Sequence, residues 1–91
     1  MDREEIFEKV KEIVSTFTGV PHSQKTDIQG STSLKLDLEC DSLDGVEISM
    51  ELDKTFGIRT DDKDIETINN GTVDDIVDMV ERILTKKNKK S

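Results

Sequence analysis

Residues 41–57 read "DSLDGVEISMELDKTFG". Asp41 offers a side-chain acceptor ahead of the first helical residue, Asp44 follows three positions on, and Gly57 supplies a stop, so the spacing predicts a helix from Ser42 to Phe56. At about 100° per residue the apolar side chains of that helix separate into two arcs. Ile48, Leu52 and Phe56 lie together, with small Gly45 and Ser49 beside them. Leu43, Val46 and Met50 form a second strip, displaced by roughly 150°, and Asp44, Glu47 and Glu51 run along it. One arc suffices to meet the core of a small domain. The second strip is therefore either an exposed docking face rimmed by acids or a second face buried between neighbouring helices.

Working outward, Ile6, Phe7, Val10, Ile13, Val14 and Phe17 recur at three- and four-residue steps on one helical face. Asp2 with Glu5 starts that helix, and Gly19 followed by Pro21 ends it. Residues 20–41 are rich in Ser, Thr, Gln and Gly, which predicts a long loop pinned to the core by Ile28, Leu34, Leu36 and Leu38. After "RTDDKD", Ile65 and Ile68 are expected to anchor one short turn of helix. Thr72 caps a last helix whose apolar face is Val73, Ile76, Val77, Val80, Ile83 and Leu84, with Asp74 and Asp75 well placed in its first turn. The expected fold is all-α: a small four-helix bundle of three longer helices and one short one, occupying residues 1–85, with a basic, flexible tail at 86–91.

Composition narrows the function. Ninety-one residues have room for one core and no second domain. Only three aromatic residues occur, all Phe, so that core is aliphatic. The net charge is -8 although four lysines (86, 87, 89 and 90) crowd the last six residues, leaving nine basic residues against 21 acids in the rest. Such a surface repels nucleic acid and anionic lipid and steers the chain towards basic proteins. Cys40 is the only cysteine, so an internal disulfide is excluded, and with His22 alone it cannot complete a zinc site. The acidic start "MDREEIF" is unlike a secretory signal and no apolar run reaches membrane-spanning length, so a cytoplasmic protein is expected.

Ser42 falls at the first helical position, where backbone N–H groups are unpaired. A phosphate there would meet the positive end of the helix dipole, although a serine after an aspartate also serves simply as part of a cap. As a nucleophile it lacks a base: the sole histidine is His22 in the loop, and no Gly-x-Ser-x-Gly elbow surrounds the serine. No catalytic residue is therefore expected. The run "DDKDIE" at 61–66 lacks the Gly and closing Glu of a calcium-binding hand and reads as a solvated acidic loop; no metal site is expected.

The stretch "DSL" at Asp41, Ser42 and Leu43, continued as "DGVEISMELDKTFGI", resembles the acyl carrier protein family, whose prosthetic-group motif is Asp-Ser-Leu at the start of the second helix. The likeness extends over "STSLKLDLECDSL" and the closing "TVDDIVDMVERI". It implies that Ser42 accepts 4'-phosphopantetheine from coenzyme A through a phosphopantetheinyl transferase, with Asp41 helping to position the transferase's metal ion and substrate. The terminal thiol of that arm then carries acyl groups as thioesters. Leu43, Asp44, Val46, Glu47, Met50 and Glu51 are implied to meet the basic patches of acyl-transfer and fatty-acid synthesis enzymes, with the carrier a monomer. A carrier for polyketide, peptidyl or D-alanyl transfer shares the serine, and a helical adaptor that carries nothing would share the acidic apolar strip. Glu39 stands where the family usually has Gly, Thr60 and Asp61 where an aliphatic residue and Pro are common, and Lys54 at an often acidic position. These departures bear on the choice of pathway and partners rather than on attachment.

Overall fold

Each helix begins where an aspartate or threonine side chain can accept from a backbone N–H three residues on. The computed structural model describes residues 2–19 and 28–88, apart from the side chains of 87 and 88, and places four helices in them: α1 (Arg3–Thr18), α2 (Ser42–Phe56), α3 (Asp62–Asn70) and α4 (Val73–Asn88). The Asp2 carboxylate accepts from the Glu5 N–H at 2.9 Å, and α1 ends at Gly19, whose φ of 75° suits a residue without Cβ. Gly57 ends α2 in the same left-handed way. Thr72 and Asp75 cap α4 reciprocally, the hydroxyl accepting at 3.3 Å and the carboxylate at 2.9 Å.

The short third helix differs from expectation. The acidic run 61–66 is not a solvated loop but the start of a nine-residue helix. The reason is local: Asp61 accepts from the Asp64 N–H at 2.9 Å while Asp64 accepts from the Asp61 N–H at 3.1 Å, so the acids serve as a capping box. The Asp64 N–H holds the Asp61 carboxyl below its ordinary range. Asp64 is buried, and its other oxygen meets Arg82 Nη2 of α4 at 3.2 Å, tying the start of α3 to α4. At the far end α4 runs to Asn88, past the expected boundary at residue 85.

The core is aliphatic, as composition requires. Ile6, Val10, Ile13 and Val14 of α1 pack with Ile48 and Leu52 of α2, Ile68 of α3, and Val73, Ile76, Val77 and Val80 of α4. Ile83 and Leu84 pack at its edge, and Met79, which periodicity alone passes over, is buried with it. On the outside Arg3 of α1 reaches Asp78 and Glu81 of α4 at 2.7 and 2.9 Å. These are exposed pairs that align the two helices more than they stabilise them.

The described part of the long loop is strapped to the start of α4. Val73 and Asp74 donate to the Thr32 and Gly30 carbonyls at 3.0 and 2.9 Å, and Leu34 donates to the Gly71 carbonyl at 3.2 Å. A Cβ at Gly30 would meet the exposed Asp74 carboxylate, which would have to turn aside. Ile28 and Leu34 are buried and Leu38 is half-buried, as expected of pins. Leu36 is not a pin: it is 80% exposed. Ser33 accepts from the Asp37 and Leu36 N–H groups, folding 33–37 into a helical turn, and in such a turn 34 and 38 share a face from which 36 points away. The earlier part of the loop, residues 20–27 with His22, lies outside the described residues.

Glu39 turns the chain into α2 with a φ of 54°, the left-handed region that costs a residue with a Cβ roughly 1 kcal/mol. Because its side chain is exposed, little packing is at stake. Glu39→Gly should therefore raise the thermal midpoint by a few degrees beyond Glu39→Gln, which removes only the charge, and Glu39→Val should lower it. Asp64→Ala, which removes half a cap and the α3–α4 ion pair together, should cost about 1–2 kcal/mol in urea unfolding. Arg82→Ala, at an exposed side chain, should cost less.

Candidate functional site

The acids around Ser42 have a structural task. Asp41 Oδ1 accepts from the Asp44 N–H at 2.9 Å, and Asp44 Oδ2 accepts from the Asp41 N–H at 3.3 Å, a capping box that fixes the first turn of α2. Ser42 follows as the first helical residue and is exposed. Among the described residues no group hydrogen-bonds its hydroxyl. The N–H groups of Ser42 and Leu43 have no carbonyl before them in the helix, so donors and the positive end of the dipole converge where the hydroxyl sits.

Beside Ser42 is a hollow of about 270 Å³ lined by Lys35, Cys40, Asp41, Ser42, Asn69 and Asn70. It joins the stretch from Lys35 to Ser42 with the end of α3, which is distant in sequence. A Cβ at Gly45 would overlap Asn69 Oδ1, so the bare position is what lets the Asn69 side-chain amide lie against α2. Asn69 Oδ1 is buried against this backbone without a hydrogen-bond partner among the described residues. Sequence reasoning flagged Gly45 as small but missed Lys35, Asn69 and Asn70 as neighbours of Ser42. The only local signal for them is the glycine itself.

Cys40 lines the same hollow but is chemically quiet. Burial first, and then the carboxylates of Asp44 and Asp41, push its thiol up to about 11, so near neutral pH it is protonated and a poor nucleophile. No group of three or more His, Cys, Asp or Glu among the described residues is arranged to hold a metal ion. Among the described residues the site presents an unpartnered hydroxyl at the first turn of a helix.

The two arcs of α2 separate as helical geometry requires. Ile48, Leu52 and Phe56 are buried, and Gly45 and Ser49 with them, Ser49 turning its hydroxyl back onto the Val46 carbonyl at 2.7 Å. The second strip faces outward: Leu43 is 65% exposed, Met50 64% and Val46 38%. Of the two readings left open by periodicity, burial between neighbours is the one excluded. Glu47 is exposed beside the strip, with Asp44 and Glu51 half-buried along it. Three large apolar side chains thus stand in line from Ser42 on a helix edged by carboxylates.

Comparison with known proteins agrees with this arrangement. Residues 8–80 match the family model described as "Phosphopantetheine attachment site". The acyl carrier protein of Thermotoga maritima is 46% identical over 82 residues, covering 90% of this chain and 95% of the relative. That of Rubrobacter xylanophilus is 45% identical over 80 residues, covering 88% and 93%. The acyl carrier protein of Coprothermobacter proteolyticus is 33% identical over 87 residues, covering 96% of this chain and all of the relative. An all-helical fold that offers an unengaged serine hydroxyl at the head of α2, matched at this identity over nearly its whole length, belongs to the acyl carrier protein family, and its prosthetic group is 4'-phosphopantetheine.

Proposed function

We propose that the 4'-phosphopantetheine arm is attached to Ser42 and that the chain carries acyl intermediates on it as thioesters in fatty-acid biosynthesis. The observation that carries this reading is the exposed, unpartnered hydroxyl at the first position of α2. The residues around it fit the group. A phosphodiester on Ser42 Oγ would lie against the unpaired first-turn N–H groups, and the adjoining hollow leaves space at its flank. When attached, the arm supplies a thiol at the end of a long flexible tether. The protein supplies the position from which that tether swings.

Each neighbour has a distinct part. Asp41 commits Oδ1 to the cap, which leaves its other oxygen to face the metal ion and substrate of a phosphopantetheinyl transferase. Ser42 needs no activating base of its own, because the transferase brings the chemistry to it. Leu43, Val46 and Met50 give an approaching enzyme a small apolar contact, while Asp44, Glu47 and Glu51 draw its basic residues. Such a surface favours fast steered encounter and quick release over tight binding, which suits a monomeric, cytoplasmic carrier that visits several enzymes in turn. The chain is then a substrate of these enzymes and not itself a catalyst. No helix of the described residues is long and apolar enough to cross a membrane.

Incubation with coenzyme A, magnesium and a broad-specificity phosphopantetheinyl transferase should raise the intact mass by one phosphopantetheine, and Ser42→Ala should abolish the increment. A wild-type mass that does not change would leave a non-carrier adaptor as the reading. For the docking face, Glu47→Lys should slow acyl transfer by a fatty-acid synthesis enzyme about tenfold at low salt, with the difference shrinking as salt screens it. Equal rates at low salt would remove Glu47 from the surface. Efficient charging by polyketide, peptide or D-alanyl enzymes, with none by fatty-acid enzymes, would move the carrier to one of those pathways.

A further inference from the structure

Attachment of an anionic group at Ser42 sets an electrostatic problem. The site already holds the carboxylates of Asp41 and Asp44, on a chain with 21 acids against 13 basic residues. The half-charge at a helix N-terminus offsets only part of one more negative charge. Of the described residues lining the hollow beside Ser42, Lys35 alone is a cation.

Lys35 is exposed, and its backbone, not its side chain, is fixed by the turn it stands in. Leu34 before it is buried, the Asp37 N–H donates to the Ser33 carbonyl at 2.9 Å, and Asp37 Oδ2 accepts from the Ser33 N–H at 2.7 Å. That turn is itself strapped to the start of α4, so the stem of Lys35 leaves from a fixed backbone. Among the described residues no carboxylate pairs with its ammonium. It is a cation without a partner, at the edge of the hollow in which Ser42 also stands.

We propose that Lys35 is the positioning residue for the phosphodiester formed on Ser42. Its ammonium pairs with one non-bridging oxygen from the side of the hollow, while the first-turn N–H groups of α2 face another from the helix axis. Held from two directions, the phosphate has a preferred rotamer about Ser42, and the arm leaves the protein along one path. The proposal rests on attachment at Ser42.

The test compares the arm-loaded forms of the wild type, Lys35→Gln and Lys35→Arg, each incubated with transferase until its mass is constant. The mass increment reports on attachment alone, whatever Lys35 does. Phosphorus NMR of the loaded proteins is then recorded at about 10 mM and about 1 M salt, where the screening length is roughly 30 and 3 Å. The wild-type phosphodiester resonance should move between the two salts, the Gln variant should show the wild-type high-salt position at both, and Arg should restore the movement. At low salt the change in thermal midpoint on loading should also be more favourable in the wild type than in Lys35→Gln. Superimposable phosphorus spectra for wild type and Lys35→Gln at both salts, with equal changes in midpoint, would overturn the role of Lys35 and leave attachment standing.

Discussion

The reciprocal cap between Asp41 and Asp44 is the interaction on which the rest depends, because it sets where α2 begins. A start one residue earlier or later would rotate every side chain of α2 by about 100° relative to the core if the entry turn kept its place. Ile48 and Leu52 would leave the interior, and Leu43 and Met50 would turn towards it. The same two carboxylates put Ser42 at the first helical position with its hydroxyl free. Cap, core register and the placement of Ser42 are thus one constraint.

That constraint explains why so acidic a chain folds into so small a core. Several of the acids are structural: Asp2, Asp41, Asp61 and Asp64 take backbone N–H groups at helix starts, and Asp75 does so at α4. Carboxylates at helix N-termini also meet the favourable end of the dipole, so the charge does least harm there. The remaining acids along α2 stand beside apolar side chains that the core does not use. Negative charge stabilises the helices at their starts and supplies the field on their outer face.

The tertiary arrangement at Ser42 adds what α2 alone lacks. Bare Gly45 lets the Asn69 amide lie against α2, and the strapped loop brings Lys35 and Cys40 to the other side. Burial, with the carboxylates of Asp44 and Asp41, keeps the Cys40 thiol protonated near neutral pH, so the thiol two residues from Ser42 is a poor nucleophile. The cation and the hydroxyl beside the hollow come from the stretch 35–42 and the amides from the end of α3.

Much of this was legible from the residues in order. Three of the helices, their caps and the two arcs of α2 depend on spacings of three and four residues, and a helix enforces those spacings wherever it lies. Ser42, together with the acids and apolar residues after it, was legible for the same reason. The length of α3 was equally local, since Asp61 and Asp64 have the same spacing as Asp41 and Asp44, but a dense run of acids reads as solvent-exposed until the cap is recognised. Other features were decided only in three dimensions: Leu36 facing outward, Asp64 buried against Arg82, Asn69 lying on Gly45, and Lys35 facing the hollow of Ser42. Asp64–Arg82 and Asn69–Gly45 join segments whose approach is set by packing of the aliphatic core, while Lys35 and Ser42 are seven residues apart across an irregular turn, and no local periodicity encodes either kind of approach.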